Sequence, residues 1–305
     1  MNIKNNFNKK ILFIIYIFSL FTVAQETPQI TFEDSMRFDY FQNKISFSEM
    51  NQKTIDQMIK LKSRFDTYKE IYNKNNLSKI NTSSKPIIPK KIHQIWLGSP
   101  FPKEFKYITE KWIKLHPDWE YKLWTDKDVS DLFPLYNQEI YYKSRNFGEK
   151  SDILRYEILY RFGGFYVDID YECIKPFNIL SQGYNFVVGV EPIDTSHLSV
   201  GNAIIGSTPN HPILKKCVET IKNFRNEKCI PLRTGPAHLT RSLLYCINEN
   251  EKELGMIMTF PTSYLYPLGY GDKDKELPIN SYIRAETFGV HYWSGTWLKK
   301  KQNKN

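Results

Sequence analysis

Two aspartates one residue apart follow a short apolar run near the middle of the chain. The segment Gly163-Gly-Phe-Tyr-Val-Asp-Ile-Asp170 predicts a two-glycine turn and then a strand that ends at Asp170. Because side chains two positions apart on a strand point to the same face, Asp168 and Asp170 are predicted to project together. Two adjacent carboxylates repel each other unless a cation lies between them, and hard oxygen ligands suit Mg²⁺ or Mn²⁺. The spacing therefore predicts a site for a divalent metal ion.

A second polar pair precedes this strand on a predicted helix at 151–162. Asp152 and Arg155 lie one helical turn apart, so both are expected on the same helix face. Such a pair can bind hydroxyl groups of a ligand. An acid in the first turn of a helix is also favoured by the helix dipole alone, and this local role for Asp152 stays open.

Strands and helices alternate on both sides of these motifs. Strands are predicted at 91–97, 121–124, 165–170, 184–190 and 203–206, and helices at 105–116, 151–162, 211–224 and 236–248. This alternation predicts a three-layer α/β fold with a largely parallel central sheet. Ligands of such sheets bind at the carboxyl ends of the strands, where Trp96, Asp168 and Asp170 fall.

We interpret the first residues of the chain, before this domain, as an export signal. In residues 1–24, Lys9 and Lys10 precede the apolar run Ile11–Val23, and Ala24 is a small residue at a cleavage position. The pattern is typical of a signal peptide, and an uncleaved signal-anchor that holds the protein in a membrane is the alternative. We predict a helical extension and linker over 25–85, the α/β domain over 86–298, and a basic tail over 299–305.

Charge and cysteine content narrow the function further. The 305 residues carry a formal charge of +9, but three lysines lie in residues 1–24 and four in residues 299–305, which leaves +2 for the body. A nearly neutral body lacks the basic stripe of a nucleic-acid-binding protein, so no nucleic-acid partner is expected. The four cysteines have no zinc or redox spacing; an exported protein could pair them as disulfides, and unlinked packing thiols remain equally open.

Four segments together resemble a known family. They are Ile92-His-Gln-Ile-Trp96, Pro117-Asp-Trp-Glu-Tyr-Lys-Leu-Trp-Thr-Asp126, Ser151-Asp-Ile-Leu-Arg155 and Gly163–Asp170. This ordered set is similar to the DXD sugar-binding glycosyltransferases of family 32, which include yeast-type initiating mannosyltransferases and inositol-phosphoceramide mannosyltransferases. The catalytic core of clostridial glucosylating toxins is a more distant relative. The resemblance covers 86–297 and implies a GT-A-type nucleotide-sugar-binding fold.

The resemblance also implies roles for individual residues. Asp168 and Asp170 would be catalytic, with Asp170 as the direct ligand of Mn²⁺ or Mg²⁺ and Asp168 on the ribose or sugar of the nucleotide-sugar donor. Ser151, Asp152 and Arg155 would bind the donor, the last two through hydroxyls of the transferred sugar. Trp96 would stack on or beside the nucleotide base, although an ordinary packing role for this aromatic residue stays open.

The segment Val290-His-Tyr-Trp-Ser-Gly-Thr-Trp297 resembles the closing motif of the same family. The resemblance implies that His291 completes the metal shell, a role that its imidazole suits, while a packing histidine is the alternative. Ser294 could add an oxygen, and the Trp297 indole could donate to a phosphate oxygen. Asn202 is a further candidate donor-binding residue.

The implied reaction is transfer of a hexose (mannose, galactose or glucose) from GDP-mannose, UDP-galactose or UDP-glucose to a glycan, lipid or protein acceptor. Retention of configuration is what the family implies. Two alternatives use the same residues: a metal-dependent hydrolase of nucleotide sugars, and a non-catalytic sugar-binding module. A glycosidase places its two carboxylates on opposite sides of the scissile bond, whereas Asp168 and Asp170 are predicted on one side.

Overall fold

The computed structural model describes residues 30–36, 52–81, 85–130, 134–192, 198–274 and 277–297. The predicted signal peptide or signal-anchor at 1–24 and the basic tail at 299–305 lie outside this range. Within it, no helix is both long enough and apolar enough to cross a membrane.

The described residues form eleven α-helices and eight strands, numbered in chain order. The helices are α1 (Phe32–Met36), α2 (Gln52–Lys74), α3 (Lys106–Leu115), α4 (Asp126–Val129), α5 (Gln138–Lys143), α6 (Phe147–Phe162), α7 (Asn178–Gly183), α8 (Pro212–Thr220), α9 (Ile230–Arg233), α10 (Pro236–Asn250) and α11 (Thr262–Leu265). The strands are β1 (Lys91–Ile95), β2 (Glu120–Trp124), β3 (Gly164–Val167), β4 (Tyr171–Cys173), β5 (Phe186–Val190), β6 (Val200–Ser207), β7 (Ile257–Phe260) and β8 (Gly289–His291).

The central sheet of the described chain has six strands in the order β2-β1-β3-β6-β5-β7. The pairs β1–β2, β1–β3 and β5–β7 are parallel, and only β6 runs against its two neighbours. Every residue of β3, β5, β6 and β7 is buried, which explains their nearly continuous apolar runs. The predicted α/β class with a mostly parallel sheet is confirmed.

The N-terminal helices pack on the central sheet through α2 and on α11 through α1. α2 contacts β7, and the Tyr72 hydroxyl lies 2.9 Å from that of Tyr264. α1 is held through Ser35, whose hydroxyl lies 2.6 Å from that of Ser263. Most of the described part of the predicted helical extension is therefore one continuous helix, α2.

The structure differs from the sequence prediction in local detail. The strand before the aspartates ends at Val167, so Asp168 and Asp170 lie in the turn between β3 and β4. The cap of α4 is Thr125, which forms a capping box with Asp128, and Asp126 is the first helical residue. Strands β4, β7 and β8 were missed, because three or four residues give too short a pattern to read without their partners.

Candidate metal and sugar site

The turn that carries the aspartates is fixed by backbone geometry. Gly163 and Gly164 have φ values of +61° and +95°, a region that glycine enters at little cost, and they lead the chain from α6 into β3. The Asp168 amide donates to the carbonyl of Ala203 on β6 at 2.8 Å, and the Tyr171 amide donates to the Asp168 carbonyl at 3.0 Å. The two carboxylates therefore come together through a tight turn rather than through strand alternation.

A second, two-stranded sheet brings His291 to this turn. β8 pairs antiparallel with β4, and Tyr171 lies directly opposite His291. His291 Nε2 lies 3.3 Å from Asp170 Oδ1 and 3.7 Å from Asp168 Oδ2. Ligand atoms of Asp168, Asp170 and His291 all lie within 4.8 Å of one another, and Asp170 and His291 are buried.

Two carboxylates and one imidazole form a set of ligands that suits Mn²⁺ or Mg²⁺, with the nitrogen favouring Mn²⁺. Burial acts to raise the pKa of Asp170, but the His291 imidazolium and the hydrogen bonds from His291 and Ser294 outweigh it and hold this pKa well below its usual range. Burial acts to lower the pKa of His291, but the charge and hydrogen bond of Asp170, together with the charges of Asp168 and Glu191, outweigh it, so this pKa is raised. The negative charge around His291 therefore favours a positive charge at this position.

The orientation of the His291 ring is set by packing. Its Nδ1 is buried with no hydrogen-bond partner among the described residues. The ring lies 4.3 Å from that of Trp293 and is stacked on Tyr171 at 6.2 Å, centroid to centroid. Trp293 has a φ of +55°, which is unusual for a bulky residue and costs backbone energy. The ring contacts hold Nε2 toward the two carboxylates.

The second polar pair forms a closed network beside the metal cluster. Arg155 Nη2 lies 3.0 Å from Asp152 Oδ1, and both side chains are buried. Asn202 Nδ2 donates to Asp152 Oδ1 at 2.8 Å, and the Thr234 hydroxyl donates to Asp152 Oδ2 at 2.8 Å. Burial raises the pKa of Asp152 to about 6, against the lowering effects of Arg155, Thr234 and Asn202.

Asp168 joins the two groups. Arg155 Nη1 lies 3.4 Å from Asp168 Oδ1, and the Tyr166 hydroxyl donates to the same oxygen at 2.6 Å. The Arg155 guanidinium also lies over the Tyr166 ring, 4.4 Å from its centroid. One oxygen of Asp168 thus faces Arg155, and the other faces His291.

All the predicted site residues line one cleft of about 820 Å³. Trp96 lies at its edge, where the indole N–H donates to Ser99 Oγ and to the Pro100 carbonyl, both at 3.1 Å. Ser151 lines the cleft beside Asp152. Ser294 contacts the cluster through its amide, which donates to Asp170 Oδ2 at 2.8 Å. The contact found for Ser294 is thus through its backbone rather than its hydroxyl.

Trp297 covers the start of α6 at the mouth of the cleft. A side chain at Gly148 would meet the Trp297 ring at 2.7 Å, so only glycine lets the indole lie on this backbone. The Trp297 carbonyl accepts a hydrogen bond from Asn146 Nδ2 at 3.1 Å. The ring is 38% exposed and is accessible to a ligand.

Sequence reasoning assigned no role to four residues of the site: Tyr166, Glu191, Thr234 and Trp293. Tyr166 lies two positions before Asp168, and that spacing was a usable signal. Thr234 lies in the loop before α10, 82 residues from Asp152 in the chain, so sequence spacing gave no signal for it. Glu191 and Trp293 gave no signal because their positions depend on how β5 and the closing segment fold.

All four cysteines are free thiols, and only Cys229 is exposed.

A family profile matches residues 102–187, and its description is "Glycosyltransferase sugar-binding region containing DXD motif". Over these residues the chain is similar to the DXD glycosyltransferases. The matched region includes the DXD aspartates Asp168 and Asp170, together with Asp152 and Arg155. His291 and Trp297 lie outside it.

Named relatives show the same similarity. The chain is 31% identical over 168 residues to inositol phosphoceramide mannosyltransferase 2 of Schizosaccharomyces pombe, which covers 52% of this chain and 47% of that protein. It is 33% identical over 156 residues to mannosyl phosphorylinositol ceramide synthase CSH1 of Saccharomyces cerevisiae, covering 50% and 40%. The chain thus spans about half the length of the curated relatives it matches.

Among solved structures, one titled PaToxG Glycosyltransferase superposes with a TM-score of 0.49 at 24% identity, over 66% of this chain and 83% of that one. The similarity to DXD glycosyltransferases rests on the profile and on the sequence relatives.

Proposed function

We propose that this chain is a metal-dependent glycosyltransferase that moves a hexose from a nucleotide-diphosphate sugar to a glycan, lipid or protein acceptor, with retention of configuration. The observation that supports it best is the cluster of Asp168, Asp170 and His291, whose ligand atoms lie within 4.8 Å of one another. The mannosyltransferase names of the relatives favour GDP-mannose as the nucleotide sugar, and UDP-galactose and UDP-glucose are the alternatives.

In this proposal Asp168, Asp170 and His291 hold Mn²⁺ or Mg²⁺. A divalent ion there would neutralise the negative charge that builds on the diphosphate as its bond to the sugar breaks. Trp297, partly exposed on the start of α6, would contact a phosphate oxygen, and Trp96 would lie against the base. Ser294 supports the arrangement by fixing one oxygen of Asp170 through its amide.

The transferred sugar would bind at Asp152, Arg155 and Asn202. An ionised carboxylate offers about four acceptor positions, and Asp152 uses three, toward Arg155, Asn202 and Thr234. One position therefore remains for a sugar hydroxyl. Because these groups are already ordered by one another, little side-chain entropy is lost when the sugar binds.

The test is thermal unfolding with GDP or UDP, each with and without Mn²⁺ or Mg²⁺. A ligand that binds only the folded state at 100 times its Kd stabilises by about 2.7 kcal/mol. We expect a rise in Tm with nucleotide and metal together, and none with nucleotide alone. Asp170→Asn is expected to lose this rise.

Product analysis with GDP-mannose, UDP-galactose and UDP-glucose then separates the alternatives. Transfer to an added acceptor supports the proposal. Release of free hexose in the presence of every acceptor tried would indicate the hydrolase, and binding without turnover would indicate a sugar-binding module. A Tm that responds equally to nucleotide in EDTA contradicts metal dependence.

A further inference from the structure

An exposed tyrosine lines the cleft close to the metal cluster. Tyr270 lies in the segment between α11 and β8, is 47% exposed, and is one of the residues that line the cleft. Tyrosine combines an apolar ring with a polar hydroxyl, and such side chains are enriched where proteins bind ligands and partners. None of the roles described above uses Tyr270.

Two ring contacts place Tyr270 beside His291. The rings of Tyr270 and Trp293 meet edge to face with their centroids 5.9 Å apart, and the rings of Trp293 and His291 are 4.3 Å apart. The Trp293 indole also donates to the carbonyl of Leu268, two residues before Tyr270, at 2.9 Å. A single aromatic side chain therefore separates Tyr270 from a proposed ligand of the metal ion.

The backbone is strained where it presents this intervening ring. Trp293 has a φ of +55°, and strain of this kind is concentrated at functional sites, where the surrounding structure holds it in place. In this conformation Trp293 lines the cleft and contacts the rings of both His291 and Tyr270. Tyr270 and Trp293 together form an aromatic surface on the cleft, which we call the Tyr270–Trp293 platform.

The Tyr270–Trp293 platform lies on the His291 side of Asp168. Asp168 Oδ1 lies 3.4 Å from Arg155 Nη1, whereas Asp168 Oδ2 lies 3.7 Å from His291 Nε2. The transferred sugar is proposed to bind on the Arg155 side. An acceptor must bring a hydroxyl to the anomeric carbon, where that sugar meets the metal-bound diphosphate. The platform is therefore in the right part of the cleft for an acceptor rather than for the transferred sugar.

The chemistry of the platform suits a polyhydroxylated six-membered ring. A pyranose or cyclitol ring carries C–H groups on its faces and hydroxyls around its edge, and weakly positive C–H groups are attracted to the negative face of an aromatic ring. Lys273 Nζ lies 4.2 Å from the centroid of the Tyr270 ring, which puts a hydrogen-bond donor next to it. An alkyl chain would leave this ammonium unused, and the side chain of serine or threonine is too small to cover the aromatic surface.

This inference rests on the proposed function. We propose that the Tyr270–Trp293 platform binds the acceptor, and that the acceptor presents a pyranose or cyclitol ring packed against Tyr270. In the transfer, the acceptor oxygen forms a bond to the anomeric carbon, the bond from that carbon to the diphosphate breaks, and the hydroxyl proton passes to the departing diphosphate. Tyr270 positions the acceptor and takes no part in these bond changes.

The test compares Tyr270→Ala, which removes the ring, with Tyr270→Phe, which keeps it. The matched control is Tyr245→Ala: Tyr245 is also 47% exposed, has Lys216 Nζ 3.3 Å from its ring centroid, and lies on α10 away from the residues that line the cleft. Methyl α-mannopyranoside, methyl β-galactopyranoside and myo-inositol are supplied as ring acceptors. A peptide with serine and threonine, and 1-octanol, are supplied as the other acceptor classes.

Transfer from GDP-mannose, UDP-galactose and UDP-glucose is measured with Mn²⁺ by mass spectrometry, and the KM for each accepted ring is determined. Nucleoside diphosphate release without any acceptor, and the Mn²⁺ concentration that gives half of the maximal release, are measured alongside. Circular dichroism checks that the variants fold. The glycosides and myo-inositol distinguish a pyranose from a cyclitol, and transfer to either kind of ring supports the inference.

Tyr270→Ala is expected to raise the KM for the accepted ring about 10-fold, the scale of losing one aromatic contact, while Tyr270→Phe stays within about twofold of the parent. Release without acceptor and the Mn²⁺ requirement are expected to stay unchanged in both variants, and Tyr245→Ala is expected to change no quantity. An unchanged KM in Tyr270→Ala overturns the inference. A rise in the Mn²⁺ requirement as large as the rise in KM also overturns it, because Tyr270 would then act through Trp293 and His291 on the metal.

The parent chain separates this inference from the proposed function. Transfer to the peptide or to 1-octanol, with none to the rings, overturns the inference and leaves the glycosyltransferase function standing. A parent chain that transfers to no acceptor, or that binds neither GDP nor UDP with Mn²⁺, contradicts the proposed function itself.

A crystal structure decides the case if Tyr270→Ala does not fold. The parent chain is crystallised with Mn²⁺, GDP or UDP, and the accepted ring. Ring carbons within about 4 Å of the Tyr270 side chain, in van der Waals contact, support the inference, and a ring bound away from Tyr270 overturns it.

Discussion

The two polar groups of the cleft are built in opposite ways. Around Asp152 and Arg155, each charge meets a fixed opposite charge or a hydrogen-bond partner inside the protein. Around Asp170, two carboxylates share one imidazole and one backbone amide, and Asp168 joins this group to the first through Arg155 and Tyr166. The charges of the first group are paired inside the protein, whereas the second group has two carboxylates for one imidazole. We therefore expect the Asp152 group to contribute more to folding and the Asp170 group more to chemistry.

The largest expected effect comes from Asp170→Ala. Removing a ligand of the ion that neutralises the leaving diphosphate should lower turnover by about 10³-fold. The unfolding midpoint should fall by only a few degrees, because the side chain lies in a turn at the edge of the sheet. Nucleotide-sugar turnover and Tm are measured together, with Glu172→Gln as the buried-carboxylate control. Glu172 is 8% exposed, is paired with Lys111 at 2.5 Å, and does not line the cleft. Full turnover in EDTA would show that the Asp170 group does not act through a metal ion, and would contradict its contrast with the Asp152 group.

Arg155→Ala should act mainly on stability. It leaves Asp152 buried without its cation, and breaking a buried ion pair from one side costs about 3–5 kcal/mol. Urea unfolding measures this loss. In variant protein that remains folded, the affinity for an intact nucleotide sugar should fall more than that for GDP or UDP, since Arg155 is proposed to contact only the sugar. Equal losses of affinity for both ligands would mean that Arg155 contacts the nucleotide or has a purely structural role.

The smallest expected effect is a pH dependence that arises from Asp152. Its pKa is raised to about 6 in the folded chain, compared with about 3.9 in an unfolded one. The folded state therefore binds this proton more tightly, and the stability contributed by Asp152 is present below pH 4 and is lost as pH rises through about 6. The free energy of unfolding of Asp152→Asn, relative to that of the parent, should increase by about 2 kcal/mol between pH 4 and 7.

Asp118→Asn provides the control for this titration. Asp118 is an exposed partner of Lys90, and a hydrogen bond from that lysine lowers its pKa. Asp118 is ionised in both the folded and the unfolded state above pH 5. The free energy of unfolding of Asp118→Asn, relative to that of the parent, should therefore not change with pH in that range. If the free energy of unfolding of Asp152→Asn, relative to that of the parent, stays constant between pH 4 and 7, then Asp152 stays ionised in the folded chain, like an ordinary surface acid.

The sequence by itself determined the features that depend on near neighbours. The one-turn spacing of Asp152 and Arg155 places them in contact on α6 whatever the rest of the chain does. The alternation of apolar strands with helices similarly determined the class of the fold. The Gly163-Gly164 pair marked the turn, because few other residues adopt positive φ. Asp168 and Asp170 were correctly brought together, although for the wrong reason, since a turn and not a strand joins them.

Only the tertiary structure decided contacts between distant parts of the chain. His291 reaches Asp170 because β8 pairs with β4, and no local pattern in three residues predicts that pairing. The resemblance to a family suggested His291, but periodicity did not. Asn202 and Glu191 line the same cleft because β6 lies between β3 and β5, and Thr234 reaches Asp152 because the loop before α10 folds over it. Strand order and register are set by packing summed over the whole sheet, so sequence spacing alone does not contain them.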